Sequence, residues 1–320
     1  MKAAVVSSFG APPRYGDVPD PAPGGGDEMV VDVLAAGLHP RVRSQADGSH
    51  YTSTGELPLV PGIDGVGRGQ DGLLRYFILP DTTLGTMAEQ TVIDARRSIV
   101  LPSGSDPVAV AAAMNPAMSS WVALRRRVPF QAGQSVLVLG ATGNAGQLAV
   151  QIAKLLRADR IVAAGRNAER LARLPAAGAT DIVSLDGTLE AVARQLGQAA
   201  SDVDTVIDYL WGEPAASAMA AIVTDRADRG KPLTWIEVGS MAGPAAQVPS
   251  AALRAARLTI VGSGQGSVSA HEYLAELPAL AQAITAGALD VDARAVPLAD
   301  VEKAWAAAGA TQRIVLTPQP

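Results

Sequence analysis

The chain has 320 residues, of which 48% are hydrophobic and 18% charged, with a formal net charge of −5. That balance describes a folded chain long enough for two cores, gives no general attraction to nucleic acid or an anionic membrane, and leaves no apolar run near the ~20 residues that span a bilayer. Zero cysteines exclude disulfides, thiol nucleophiles and Cys-based zinc sites, and His39, His50 and His271 lack the spacing of a paired metal motif. The Arg125-Arg126-Arg127 triplet has no interleaved aromatic residues and reads as a solvated helix face. The opening Met1-Lys2-Ala3-Ala4-Val5-Val6 is too short for a secretory h-region, so a cytoplasmic setting is expected.

From Met1 to about Met114 the pattern is short β-type stretches, such as 29–35 and 90–93, broken by Pro and Gly clusters. It predicts an irregular, mostly β domain. From Asn115 to Gly264 strands and helices alternate. Strands are expected at 135–139, 160–164, 182–184, 204–208, 234–238 and 258–262, with helices near 147–157, 168–176, 189–199 and 213–223. Asn167 can cap the second of these helices, and Pro214 stands at a first-turn position of the fourth. Six strands joined by helical crossovers predict an α/β, doubly wound parallel sheet of the Rossmann type. After Gly264 come a helical stretch, 271–286, the segment Val296-Pro297-Leu298, a helix from about Asp300, and a closing strand Arg313-Ile314-Val315-Leu316. A lone closing strand needs a partner sheet, so it is expected to return to the N-terminal domain. The expected domains are therefore 1–114 plus 265–320, with 115–264 inserted between them.

The run 136–139 of this insertion leads into Gly140-Ala141-Thr142-Gly143-Asn144-Ala145-Gly146, and an apolar helix is expected from about Gln147 to Leu156. Glycines let a backbone turn sharply and approach a pyrophosphate, and the amides and dipole of the following helix favour its negative charge. The spacing, G-x-x-G-x-x-G, is one residue longer than the standard dinucleotide fingerprint; strand before and helix after give it weight. An NAD site carries Asp or Glu at the end of the second strand, to hold the ribose hydroxyls. Here Gly165-Arg166 stand there, with Arg170 one helical turn further on. Arginines at a helix start, where the dipole disfavours cations, point to a bound 2′-phosphate and hence to NADPH.

This order of elements, with the stretches Met1-Lys2-Ala3, 36–40, 61–67, 119–124, the glycine turn and 313–316, resembles the zinc-free quinone oxidoreductases of the medium-chain dehydrogenase/reductase superfamily. The resemblance implies a GroES-like, mostly β catalytic domain with a Rossmann insertion, and hydride delivery from NADPH to a quinone or an α,β-unsaturated carbonyl. Zinc-using relatives hold the metal at positions matching His39, Ile63 and Asn115, and one imidazole does not hold a catalytic zinc by itself. The chain departs from the family at His39, where Asn is common, and at Arg41-Val42-Arg43, where Asp usually follows Pro. The resemblance places residues 140–146 under the pyrophosphate, and Arg166 and Arg170 at the adenosine phosphate. Val238, Gly239, Ser263 and Gly264 fall beside the nicotinamide, Tyr209 and Leu210 at the carboxyl edge of the sheet, and Arg313 at the pyrophosphate or, equally, at the surface as a strand-end charge.

Hydride transfer asks of the protein position, a dry cleft and a proton donor. Tyr51, His50, His39 and Asn115 are the candidate donors or oxyanion stabilisers, Tyr51 first because a phenol donates without changing charge. Asp64 is expected to hold loop amides. An enoyl-thioester reductase is the rival activity, with Arg41 and Arg43 as a basic channel for its phosphate, and a non-catalytic NADPH-binding regulator is the rival class. The apolar strand 258–262 at a sheet edge predicts a homodimer.

Overall fold

The computed structural model describes residues 1–50, 52–264, 266–307 and 312–318. It divides into two compact units, one of residues 1–115 with 274–320 and one of residues 116–273.

The first unit opens with β1 (Lys2–Val5) and β2 (Arg14–Asp17), an antiparallel pair. The ten-residue β3 (Glu28–Gly37) follows, burying Val31, Val33 and Ala35 in alternation with Asp32 and Leu34, the period of a strand with one face in the core. Next come α1 (Pro40–Ala46), β4 (Asp64–Gly69), β5 (Leu74–Ile78), β6 (Gln90–Asp94), β7 (Ser98–Val100) and α2 (Pro107–Val122). One expectation is corrected here: α2 and its π-helical extension, Pro107–Arg127, do meet the length and hydropathy of a membrane span, but 72% of the window is buried inside the protein. It is a core helix.

The second unit continues with β8 (Ser135–Leu139), α3 (Asn144–Leu155), β9 (Arg160–Gly165), α4 (Ala168–Ala177), β10 (Asp181–Ser184), α5 (Leu189–Ala200), β11 (Thr205–Asp208), α6 (Gly212–Asp225), β12 (Leu233–Glu237), α7 (Ser250–Ala255) and β13 (Leu258–Gly262). The six strands are parallel, in the order β10-β9-β8-β11-β12-β13. Every residue of β8 is buried, which is why it reads as an unbroken apolar run. Leu137, Leu139, Val162, Val206 and Trp235 pack in one core with Leu196, Met219 and Ile222 of the helices, each full burial contributing roughly 1.5–3 kcal/mol. The chain leaves β8 toward β9 and β10, then returns to build β11, β12 and β13 on the other side. The reversal opens a crevice at the carboxyl ends of β8 and β11, where ligands bind in such sheets.

The chain then runs through α8 (Ala270–Thr285), β14 (Ala293–Pro297), α9 (Val301–Ala306) and β15 (Arg313–Thr317). β15 lies between β14, to which it is parallel, and β3, to which it is antiparallel with Val315 opposite Gly37. Its Ile314 and Leu316 join Val31, Val33, Phe77 and Ile93 in the core. The closing strand thus rejoins the N-terminal sheet, and the nucleotide-type sheet is an insertion.

Candidate active site

The glycine turn is built by close approach. Gly140 has φ of +85°, and its amide and that of Ala141 donate to the Ala164 carbonyl of β9. A Cβ on Gly146 would lie 2.3 Å from the Gly140 carbonyl oxygen and 2.6 Å from Ala141 Cα, so only glycine lets α3 start this near β8. Helix α3 begins at Asn144, three residues earlier than expected, because Asn144, Ala145 and Gly146 form its first turn rather than the loop. Gly143 at the N-cap offers no side-chain cap, and the first-turn amides have no partner within the helix. This cradle of amides with a positive dipole end fits a diphosphate.

At the adenosine end, Asn167 caps α4 by accepting from the Arg170 amide at 2.9 Å. The Arg170 guanidinium donates to the Thr142 carbonyl at 2.8 Å, tying the phosphate-side arginine to the glycine turn. Thr142 in turn packs over Gly165, where an added Cβ would meet Thr142 Cγ2 at 2.3 Å. Arg166 is exposed beside it.

The carboxyl edge of β11 is organised by Asp208, which sequence reasoning passes over as a strand residue. Its carboxylate is fully buried and accepts from the Leu210 and Trp211 amides and from Trp235 Nε1, at 2.8, 3.0 and 2.8 Å. Burial raises its pKa against the pull of those three donors. The signal is an acid inside an otherwise apolar strand. Val238 and Gly239 donate to the Asp208 carbonyl, so the ends of β11 and β12 are fixed together. The Tyr209 phenol is buried, bonded to Ser119 Oγ at 2.9 Å, and pushed up to about 12 by burial; its ring and backbone, not its hydroxyl, face the edge positions. An open pocket of about 470 Å³ lies next to these positions, lined by Trp211, Glu237, Ser240, Pro244, Ile260 and Gly262. Ser263 is buried and Gly264 exposed.

In the first unit a polar cluster sits inside the core. His39 Nε2 lies 2.9 Å from Asp64 Oδ1, Tyr76 donates to Asp64 Oδ2 at 2.8 Å, and Thr86 Oγ1 donates to the Asp64 carbonyl. Asp64 therefore serves side chains from β5 and the start of α1, not loop amides, a correction that follows from its place on β4. Arg313 is neither exposed nor a surface charge. It is buried, donates to the Leu38 carbonyl at 3.2 Å, and is lowered to about 10 by burial, against which the Asp64 charge works.

Arg41 is paired with Asp81 at 2.8 Å and bonded to Thr52, and Arg43 donates to the Trp305 carbonyl and lies over its ring at 4.9 Å. Both are engaged within their unit, Arg41 through Nη2 only, its Nη1 having no hydrogen-bond partner among the described residues. His50 Nδ1 accepts from the Thr52 amide, and burial first, then Arg41, lower its pKa. Asn115 is half-buried on α2. Tyr51 lies outside the described residues.

No family model matches the chain. Across 353 aligned positions it is 29% identical to a probable NADPH-dependent quinone reductase of Emericella nidulans, covering 95% of this chain and 96% of that one. It is 28% identical to a chloroplastic NADPH-dependent alkenal/one oxidoreductase of Arabidopsis thaliana over 51% of this chain and 46% of the relative. The fold matches a quinone oxidoreductase of Thermus thermophilus, whose structure is also known in complex with NADPH, with a TM-score of 0.80 and 24% identity over 99% of this chain and 100% of the other. A Rossmann-type parallel sheet inserted in a mixed, GroES-like sheet is the fold the chain shares with that structure. The relative matched end to end carries the name of a quinone reductase, and the chain is also 30% identical to a quinone oxidoreductase of Lama guanicoe over 48% of this chain and 49% of that one.

Proposed function

We propose that this chain is a reductase that uses NADPH to deliver hydride, without a metal, to a quinone or an α,β-unsaturated carbonyl. The observation that carries the reading is the glycine turn bound through Thr142 to Arg170, with arginine and no carboxylate at the end of β9. Residues 140–146 would hold the pyrophosphate, Gly165, Arg166 and Arg170 the adenosine phosphate, and Tyr209, Leu210, Val238, Gly239, Ser263 and Gly264 would flank the nicotinamide. Asn115 and Tyr51 remain proposed acceptor-side groups. Arg313, buried and donating to the Leu38 carbonyl, remains the basic residue proposed for the pyrophosphate. NADPH supplies the hydride; the protein supplies the dry, oriented site. Ile63 packs in the apolar core of its unit, which supports the metal-free part of the reading.

Titrating NADPH and NADH against wild type, Arg166→Ala and Arg170→Ala tests the phosphate assignment. One charge-assisted hydrogen bond contributes about 1.5–3 kcal/mol, so at least one variant is expected to lose roughly tenfold or more of the NADPH preference. Unchanged preference in both removes the assignment. The engagement of Arg41 and Arg43 speaks against the enoyl-thioester alternative, and turnover on crotonyl-CoA exceeding that on a simple quinone would restore it. NADPH binding with no turnover of quinones, enones or crotonyl-CoA would leave the regulator.

The same reading includes a cytoplasmic homodimer. β13 is the edge strand of its sheet, with Ile260 and the neighbouring Leu253 exposed, and an exposed apolar edge invites pairing with a second copy. Sedimentation at micromolar concentration is expected to give twice the chain mass of 32.7 kDa; a monomer would refute the pairing.

A further inference from the structure

We propose that Asp208 is a positioning residue that keeps the nicotinamide half of the cofactor site in shape; the assignment rests on the NADPH reading above. Asp208 closes β11, whose four residues are all buried, and a carboxylate in such a place is costly to desolvate unless well-directed donors meet it. Here the donors come from two segments. Oδ1 accepts the amides of Leu210 and Trp211, which follow it in the chain, and Oδ2 accepts the indole N–H of Trp235 from β12. Backbone bonds spread this order outward. The Asp208 carbonyl takes the Val238 and Gly239 amides, the Tyr209 amide donates to the Leu139 carbonyl at the end of β8, and Met241 and Ala242 donate to the carbonyls of Tyr209 and Leu210. One carboxylate therefore stands where the ends of β8, β11 and β12 meet.

The turn it holds is not one its residues favour. Trp211 has φ of +51° and ψ of −160°, followed by Gly212 at φ of +68°, and the first of these is a conformation nearly confined to glycine, kept by another residue only where its surroundings fix it. The bond from the Trp211 amide to the Asp208 carboxylate does so, and hydrogen bonds to a charged acceptor are the strong ones. The turn also brings Leu210 to the glycine turn. A Cβ on Gly140 would lie 3.3 Å from Leu210 Cδ2 and 3.3 Å from Tyr209 Cβ, and a Cβ on Gly239 would touch the Tyr209 carbonyl oxygen at 3.5 Å. Leu210 and Gly239, assigned above to the nicotinamide, are thus each one hydrogen bond from Asp208. The adenosine end draws on none of these bonds, since Arg170 is held by Asn167 and by the Thr142 carbonyl.

The test compares the whole cofactor with the half that lacks nicotinamide. Dissociation constants for NADPH and for adenosine 2′,5′-bisphosphate are measured on wild type, Asp208→Ala and Asp208→Asn. In Asp208→Ala the ratio of the NADPH constant to the bisphosphate constant is expected to rise about tenfold, the scale of one lost charge-assisted hydrogen bond. Asp208→Asn keeps the volume and one acceptor oxygen but sets an N–H against a donor, and a rise of roughly threefold is expected, the scale of a neutral bond. Adding Trp235→Phe to Asp208→Asn removes that opposing donor and is expected to bring the ratio back toward wild type. A wild-type ratio in both Asp208 variants, or in Asp208→Asn where the alanine variant does not fold, overturns the proposal, because a merely structural acid weakens both ligands alike. Wild-type protein that binds neither ligand instead defeats the NADPH reading itself, and the positioning role with it.

Discussion

Gly146→Ala is expected to weaken NADPH binding on the order of 100-fold, about 2.8 kcal/mol. The added methyl would meet the Gly140 carbonyl at 2.3 Å and Ala141 Cα at 2.6 Å, both backbone atoms that no rotamer change can move. Relief requires α3 to withdraw from β8, and the first-turn amides that face the diphosphate withdraw with it. Overpacking of this kind also costs roughly 1–3 kcal/mol of stability, so the comparison is with Gly143→Ala. There the nearest atom to the new methyl is the Gly140 carbonyl at 3.4 Å, and φ is −74°, a value any residue adopts. Fluorescence titration and urea unfolding of both variants separate the two effects. A dissociation constant for Gly146→Ala within a few-fold of wild type would remove this turn from the cofactor site.

Asp64→Ala should destabilise the first unit by about 3–5 kcal/mol, the cost of breaking a buried charge pair on one side. The substitution leaves His39 Nε2 and the Tyr76 hydroxyl without their acceptor and the buried Arg313 without its counter-charge. Asp64→Asn keeps an acceptor oxygen for Tyr76 and should lose less. A urea midpoint for Asp64→Ala equal to that of wild type would show that the cluster is solvated in solution. The second unit offers an internal reference, since its core shares none of these residues.

The nucleotide-type sheet is legible in the sequence because its central strands are buried and alternate with helices. Ser135–Leu139 and Leu258–Gly262 fall where their apolar runs begin and end. The start of α3 lies earlier than its pattern suggests because Asn144 and Gly146 read as loop residues, and their role as a helix's first turn follows only from packing on β8. Helix α7 escapes a sequence reading: six residues, with one buried, leave too little periodicity to see. β4 is hidden by its sequence Asp-Gly-Val-Gly-Arg-Gly, three glycines that argue against a strand until the neighbouring β3 and β5 are known. The site divides the same way. The phosphate cradle is local in sequence and readable, apart from the Arg170–Thr142 bond across 28 positions. The Asp64 cluster gathers Tyr76, His39 and Arg313 from distant parts of the chain, and no spacing rule joins them.

The placing of β15 between β14 and β3 has a consequence for biosynthesis. A sheet that needs residues 313–317 to join its two parts cannot close while the ribosome still holds them. The insertion, complete by β13, is free to fold first as the chain emerges. Until β15 docks, Ala36 and Gly37 at the end of β3 lack the partners Leu316 and Val315, and β14 has no strand to join it to the rest of the sheet.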